Sequence, residues 1–276
     1  MAGPLVSLLT DFGLRDPSAA ILHGVVLGIV PEARIIDISH EVRKFAIRDG
    51  ALLLWCALPY LPVAFHVAVV DPGVGTARRP IAIAADRGDV LVGPDNGVLV
   101  AAAEKLGGIA AVHLLEAEAY RLPFVSTSFH GRDIFAPAAA HLARGVPIGE
   151  LGPAVDPTTL VPSPIADAIV EPGVLRSSIV YVDTFGNVKL AGLRADLEAA
   201  LGTLSAGDRV VVELIDEGRR VETSWQTTFG DVAMGETLLY EDSYRRICLA
   251  ASQADAAAKH GLVEDLEVVI RRANPD

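Results

Sequence analysis

Several residue types are scarce in this sequence, and each scarcity excludes a class of protein. Cysteine occurs only twice in 276 residues, at Cys56 and Cys248, far apart and in apolar surroundings, so neither a disulfide framework nor a zinc motif is indicated. Lysine and arginine number 23 against 35 acidic residues, which gives a formal charge of −12. Nucleic acids and anionic membranes bind basic surfaces, so we expect neither as a partner.

Long apolar runs and nucleotide-binding loops are also missing. No apolar stretch reaches the roughly 20 residues that a membrane-spanning helix needs. The first residues lack the basic start and the length of a signal peptide, so we expect the protein to be cytoplasmic. Neither a Walker A motif nor a Gly-x-Ser-x-Gly elbow occurs. Hydrophobic residues, by contrast, make up 51% of the chain, which is ample for a sizeable core.

The first half of the chain alternates strand-like and helix-like segments. Strands are predicted over Pro4–Thr10, Arg34–Ile38, Ala64–Val70, Pro80–Ala85, Val90–Val92 and Ala110–Leu114, and helices over Ser18–Val30, Ile47–Leu58, Asn96–Lys105 and Ile134–Ala143. Apolar strands separated by helices indicate a largely parallel sheet that is covered on both faces. Ligands of such sheets bind beyond the carboxyl ends of the strands, where Asp11 and Asp71 directly follow apolar segments.

The second half has a different pattern. Leu151–Ile165 carries four prolines and little periodicity, which predicts a linker. Short strands follow, with one helix near Asp255–His260; the strands are predicted over Gly173–Val182, Arg209–Ile215, Thr237–Tyr240, Arg246–Ala250 and Glu267–Arg271. The sequence therefore predicts an N-terminal α/β domain over 1–160 and a smaller, β-rich and barrel-like C-terminal domain over 166–276.

Four polar segments at predicted strand ends are candidates for a binding site. They are Thr10–Asp16, Asp71–Arg79, Ser126–Asp133 and Asp183–Asn187. A carboxylate such as Asp11 can accept hydrogen bonds from both hydroxyls of a ribose. His130 can accept a proton near neutral pH, and Asn187 can pair with the edge of a base. Spacing alone leaves a purely structural role open for each segment. In order, these roles are an acid in a turn, a salt bridge that closes a loop, a loop that leads into a helix, and a hairpin turn.

Four other histidines give no sign of a metal site. His66, His113, His141 and His260 are isolated in the sequence, and no spacing typical of metal ligands emerges. We therefore expect no metal in the reaction.

Taken in order, the four polar segments resemble the S-adenosylmethionine hydroxide adenosyltransferases, which are relatives of the fluorinases and chlorinases. Three further segments match as well, Asp37–Val42, Val92–Gly97 and Thr228–Asp231, and the likeness extends from Leu8 to Ser243. The resemblance implies an α/β N-terminal domain, a β-rich C-terminal domain and a homotrimer. It also implies active sites at the subunit interfaces, between the N-terminal domain of one chain and the C-terminal domain of the next.

The resemblance further implies a reaction and a set of residues. The reaction is the hydrolysis of S-adenosyl-L-methionine to adenosine and L-methionine by attack of water on ribose C5′, with no cofactor besides this substrate. The catalytic trio corresponds to Asp71, Arg78 and His130, and the seven-residue step from Asp71 favours Arg78 over Arg79. The implied substrate-binding residues are Asp11 for the ribose, Phe45 and Phe129 around the ribose and sulfonium, Asn187 and Phe229 for adenine, and Asp183 and Ser243 for methionine. Gly131 is a further implied substrate contact.

Two other functions are compatible with parts of this pattern. Halogenases that use the same substrate carry Tyr at the position of Asp71 and lack the histidine, and a carboxylate beside the reacting carbon would repel halide. A non-catalytic protein that binds adenosine or S-adenosylmethionine would keep Asp11 and Asn187 without needing the trio. The chain departs from the resemblance at Val188–Leu190 and at Tyr244, near the expected methionine contacts.

Overall fold

The computed structural model describes residues 3–215 and 218–273. The chain forms two compact units, Met1–Pro164 and Ile165–Asp276; the outer limits predicted for the two domains, residues 1 and 276, lie outside the described residues. The first unit contains β1 (Leu5–Thr10), α1 (Ser18–Ile29), β2 (Arg34–Ser39), α2 (Ile47–Ala57), β3 (Phe65–Val69), β4 (Pro80–Ala85), β5 (Val90–Pro94), α3 (Val100–Lys105), β6 (Ile109–Leu114) and α4 (Ala136–Ala143).

The six strands of the first unit form one sheet in the order β2-β1-β3-β5-β4-β6. The first four strands are parallel, whereas β4 is antiparallel to both of its neighbours. Helices α1 and α4 cover one face and α2 and α3 the other, so the inner parallel strands β1, β3 and β5 are buried on both sides, whereas the edge strand β2 is largely exposed. Because β1 and β3 are parallel neighbours, their carboxyl ends place Asp11 and Asp71 at the same edge of the sheet.

The second unit is an antiparallel sheet that is nearly closed on itself. It contains β7 (Ile169–Glu171), β8 (Val174–Val182), β9 (Val188–Leu193), α5 (Arg194–Leu201), β10 (Arg209–Leu214), β11 (Arg219–Ser224), β12 (Thr237–Glu241), β13 (Arg246–Ala251), α6 (Ala256–His260) and β14 (Glu267–Arg272). The strand order is β11-β10-β14-β8-β9-β13-β12, and β7 pairs with β8. A bridge between Trp225 and Leu239 joins the chain after β11 to β12, which brings the two outer strands together. The predicted fold class is confirmed.

Some local predictions differ from the structure. The helix expected from Asn96 begins only at Val100, because the Asn96 side chain accepts a hydrogen bond from the Val98 amide in a preceding turn. The segment Leu151–Ile165 is not a free linker: Thr159 and Val161 hydrogen-bond to side chains of the first unit. Among the helices in the described ranges, none has the length and apolar character needed to cross a membrane.

Candidate active site

An arginine joins the other two members of the expected catalytic trio. Arg78 donates from Nε to Asp71 Oδ1 over 3.1 Å and from Nη2 to the second carboxylate oxygen. The same Nη2 lies 3.1 Å from His130 Nδ1. A guanidinium group only donates hydrogen bonds, so this nitrogen of His130 is the acceptor and the ring is neutral in this arrangement. Sequence spacing suggested the pairing of Asp71 with Arg78, but only the fold brings His130 to it.

The neighbouring Arg79 belongs to a separate ion pair. Its guanidinium binds Asp95, with Nε 2.7 Å from Oδ2, and it also donates to Thr159. Arg78, in contrast, is nearly buried, and its guanidinium lies 5.2 Å from the centre of the Phe135 ring. Its Nη1 atom is buried and has no hydrogen-bond partner within residues 3–215 and 218–273.

The loop before α4 determines where His130 lies. Asp133 is fully buried and accepts hydrogen bonds from both the amide and the hydroxyl of Ser126, which closes the loop over Ser126–Asp133. Residues Gly131–Phe135 then form one π-helical turn that leads into α4. Such turns are frequent at functional sites. The polar segment was recognised from the sequence, whereas this role of Asp133 was not.

The environment of His130 favours its neutral form. Burial lowers the pKa of His130 below its ordinary value, and the positive charge of Arg78 lowers this pKa further. The carboxylates of Asp71 and Asp133 act in the opposite direction but do not outweigh these two effects. At neutral pH His130 is therefore an uncharged imidazole that can accept a proton.

Asp11 lies directly after β1, and both its backbone carbonyl and its side chain accept hydrogen bonds. Its Oδ2 accepts a hydrogen bond of 2.9 Å from the amide of Phe45, and its carbonyl oxygen accepts one from Lys44 Nζ. Phe45 has φ of 64°, a left-handed conformation that is uncommon for a bulky residue, and its side chain is 70% exposed. Strained backbone of this kind is concentrated at functional sites. Lys44 was not singled out from the sequence.

These groups line one cavity of about 290 Å³ in the first unit. Its wall contains Asp11, Phe45, Asp71, Phe129, His130 and Gly131, together with Phe12, Ser18, Lys44, Val69, Val74 and Ser128. The Phe129 ring is held edge-on by Phe12, with ring centres 5.5 Å apart. Carboxylate, imidazole and aromatic groups thus converge on a space at the low end of the size range of small-molecule sites.

The remaining predicted residues line a second cavity, of about 770 Å³, in the second unit. Asp183 Oδ1 accepts hydrogen bonds from the amides of Phe185 and Asn187, and its Oδ2 accepts one of 2.9 Å from the Asn187 side-chain amide. Phe229 packs against Tyr240 with ring centres 5.0 Å apart, and Ser243 completes the predicted set. The aromatic rings offer a stacking surface and the Asp–Asn pair offers polar atoms, which together suit a heteroaromatic base.

The same cavity contains a buried ion pair that the sequence did not predict. Lys189 Nζ binds Asp242, and it lies 5.0 Å from the centre of the Tyr244 ring. The other oxygen of Asp242 accepts hydrogen bonds from the amides of Tyr244 and Arg246, which fixes the turn after β12. Lys189 lies within the apolar strand Val188–Leu193, and a buried lysine requires an acidic partner. The sequence could therefore have indicated an ion pair here.

Comparison with known proteins gives the same family for both units. The model of the SAM hydroxide adenosyltransferase N-terminal domain matches residues 6–152, and that of the corresponding C-terminal domain matches residues 177–269. The chain is 44% identical over 254 residues to an (R)-S-adenosyl-L-methionine hydrolase of Salinispora tropica, covering 92% of each protein. It is 38% identical over 271 residues to the protein of the same name from Thermus thermophilus, covering 95% of this chain and 98% of that one.

More distant relatives and solved structures agree with this result. A fluorinase of Actinoplanes sp. is 26% identical over 300 residues, with 98% of each chain covered. The crystal structure of an uncharacterized conserved protein from Thermotoga maritima superposes with a TM-score of 0.89 at 32% identity, covering 97% of this chain and all of the other. Identity is thus higher to the hydrolases than to the fluorinase.

Proposed function

The chain belongs to the SAM hydroxide adenosyltransferase family, and we propose that it hydrolyses S-adenosyl-L-methionine to adenosine and L-methionine. The observation that carries this proposal is the contact of one buried arginine, Arg78, with both Asp71 and His130 at a cavity that also contains Asp11. The similar hydrolases support the same reaction. Their names specify the R configuration, and we extend that preference to this chain.

In the proposed mechanism, water attacks ribose C5′ from the side opposite the sulfur. The C5′–O bond forms as the C5′–S bond breaks, and the bonding electrons leave with the sulfur to give the neutral thioether of methionine. Asp71 and His130 orient the water, and its surplus proton passes to this pair and then to solvent. Arg78 holds both groups in position through its hydrogen bonds. A neutral leaving group needs no Lewis acid, so we propose that the reaction uses no metal or other cofactor.

In this proposal each cavity binds a different part of the substrate. Asp11 binds the ribose hydroxyls, while Phe45, Phe129 and Gly131 surround the ribose and the sulfonium, whose charge is attracted by aromatic faces. Asn187 and Phe229 bind adenine, and Asp183 and Ser243 bind the methionine end.

The proposed assembly is a homotrimer in which each site combines the first cavity of one chain with the second cavity of the next. A drug-sized ligand occupies about 300–1,000 Å³, so the cavity of about 290 Å³ in the first unit is small for the whole substrate. We also place the protein in the cytoplasm, where its two buried free cysteines suit a reducing environment.

The test is chromatography of the purified protein incubated with each sulfur epimer of S-adenosyl-L-methionine, with and without chloride or fluoride. We expect adenosine and methionine in equal amounts from the R epimer, unaffected by halide. A 5′-halo-adenosine would instead establish a halogenase, although the Asp71 carboxylate argues against halide binding. Tight binding of adenosine without any turnover would overturn the enzymatic proposal in favour of a binding protein.

A further inference from the structure

Two histidines and one aspartate converge at the edge of the first unit, outside the cavity described above. His23 lies on α1, Asp37 on β2, and His40 directly after β2. The Nε2 atoms of His23 and His40 lie 2.8 Å and 3.0 Å from the same oxygen, Oδ1 of Asp37. All three atoms lie within 4.8 Å of one another. The fold thus brings two imidazole nitrogens and one carboxylate oxygen together, although His23 and His40 are 17 positions apart in the sequence.

His40 provides an independent sign that this point is a binding site. Its side chain is 2% exposed, and its Nε2 is a buried atom without a hydrogen-bond partner in the described part of the chain, despite its approach to Asp37. Its other nitrogen, Nδ1, lies 2.9 Å from the hydroxyl of Thr10. Thr10 therefore fixes the ring orientation through Nδ1, while Nε2 faces His23 and Asp37. A metal-binding histidine has the same arrangement, with one nitrogen on the metal and the other held by a hydrogen bond.

We propose that His23, Asp37 and His40 bind one divalent transition-metal ion of the zinc class. Two imidazole nitrogens with one carboxylate oxygen are a ligand set that such ions prefer, and His23 and Asp37 are open enough to leave a position for water. In a tetrahedral site with bonds near 2.0–2.2 Å, ligand atoms stand about 3.3 Å apart. The two nitrogen–oxygen distances of 2.8 Å and 3.0 Å would reach that value if each lengthened by up to about half an ångström, which is within side-chain motion.

The ion would act on structure and not on the reacting carbon. It would join α1 to the end of β2, where the His40 carbonyl oxygen accepts a hydrogen bond from the Gly13 amide. Thr10, which contacts the His40 ring, directly precedes Asp11. Metal binding is therefore expected to stabilise the first unit and the segment that carries Asp11, and this inference does not depend on the proposed hydrolysis.

The experiment is a titration of the full, chelator-treated protein with Co²⁺, followed by visible absorption of the bound ion and by thermal unfolding. We expect one Co²⁺ per chain, displacement by Zn²⁺ and a rise in Tm on saturation with either ion. His23→Gln and Asp37→Asn should each weaken Co²⁺ binding by at least about 10-fold, because each removes a ligand. His23 and Asp37 are partly exposed, so both variants should fold.

The matched control is His141→Gln. It removes a partly buried histidine of α4 whose ring packs against Tyr120. This variant should keep the Co²⁺ spectrum, stoichiometry and affinity of the unmodified protein. The proposal is wrong if the unmodified protein takes up no Co²⁺ at millimolar concentration. It is equally wrong if His23→Gln and Asp37→Asn bind Co²⁺ as the control does, since the ion would then lie elsewhere.

Discussion

At the scale of single residues, Arg78 holds the two other members of the candidate trio together. It forms a two-pronged ion pair with Asp71, and it donates a hydrogen bond to Nδ1 of His130. Both contacts are shielded from solvent, because the side chains of Arg78 and Asp71 are only 7% and 4% exposed. Charged hydrogen bonds of this kind hold geometry more firmly than exposed ion pairs do.

Replacement of Asp71 by asparagine should abolish most of the activity. Asp71→Asn keeps the size of the side chain but removes the charge that orients water and accepts its proton. We expect kcat for S-adenosyl-L-methionine to fall by about 10²–10⁴-fold, the usual contribution of a general base. Single-turnover kinetics, together with binding of adenosine, measures this loss separately from substrate binding.

The adjacent pair of Asp95 with Arg79 supplies a control for that experiment. Asp95→Asn also breaks a buried aspartate–arginine contact, but Asp95 does not line the cavity. The two variants should lose comparable stability in urea unfolding, while Asp95→Asn keeps kcat within about threefold of the unmodified enzyme. Equal losses of kcat in both variants would show that Asp71 is only a structural partner of Arg78.

The pH dependence of activity should report the state of His130. Its pKa is lowered by burial and by Arg78, so the neutral form persists below the ordinary histidine pKa of about 6.5. Activity should therefore be constant near neutral pH and should fall only at lower pH, where the imidazole becomes protonated. In His130→Gln this acidic limb should disappear from the residual kcat. An unchanged limb in that variant would assign the titration to another group.

At the scale of elements, a close backbone approach joins the two loops that carry the trio. Gly75 lies in the loop between Asp71 and Arg78, and a Cβ atom placed on it would stand 2.2 Å from the Thr127 carbonyl oxygen in the loop of His130. Gly75 also has φ of +76°, a conformation that disfavours side chains. Only glycine therefore allows these loops to meet as they do.

Gly75→Ala should separate the loops and weaken catalysis. A shift of about 1 Å is enough to reduce a rate by about 10²-fold when it displaces catalytic groups, so kcat should fall on that scale. Gly73→Ala, two residues earlier, is the control, because a Cβ there meets its nearest atom, Arg78 Cβ, at an ordinary 3.5 Å. If steady-state kinetics gives both variants the same kcat, the Gly75 contact does not position His130.

Several elements with continuous apolar runs were predicted, and several weakly patterned ones were not. The strands β1, β3 and β4 lie where continuous apolar runs indicated them. Helix α5 was missed because its eight residues follow β9 directly and its N-cap is Leu193 instead of a polar residue. Strand β11 was missed because only two of its six residues, Val221 and Thr223, are buried.

The site followed the same rule at the level of side chains. Ordered polar segments identified several of the residues that line the two cavities, since polar groups at strand ends are conspicuous beside apolar runs. Contacts across long sequence separations, such as Arg78 with His130 or Lys189 with Asp242, could not be derived from spacing. They depend on how the loops are brought together, which only tertiary packing determines.

At the scale of the whole molecule, the predicted residues fall into two cavities, one in each unit. The first contains the reacting groups and the second contains the aromatic and amide groups suited to a base. Under the proposed trimer, a complete site takes its first cavity from one chain and its second cavity from the next. In cyclic assemblies such a contact is heterologous, and each chain contributes to two different sites.

Mixing two inactive variants tests this arrangement directly. Asp71→Ala disables the first cavity and Asn187→Ala the second, so each homotrimer should be inactive. If equal amounts are unfolded together and refolded as mixed trimers, about a quarter of the interfaces should combine an intact first cavity with an intact second one. Steady-state assays should then recover about a quarter of the unmodified activity. A site formed within one chain would recover none, because every chain in the mixture carries one disabled half.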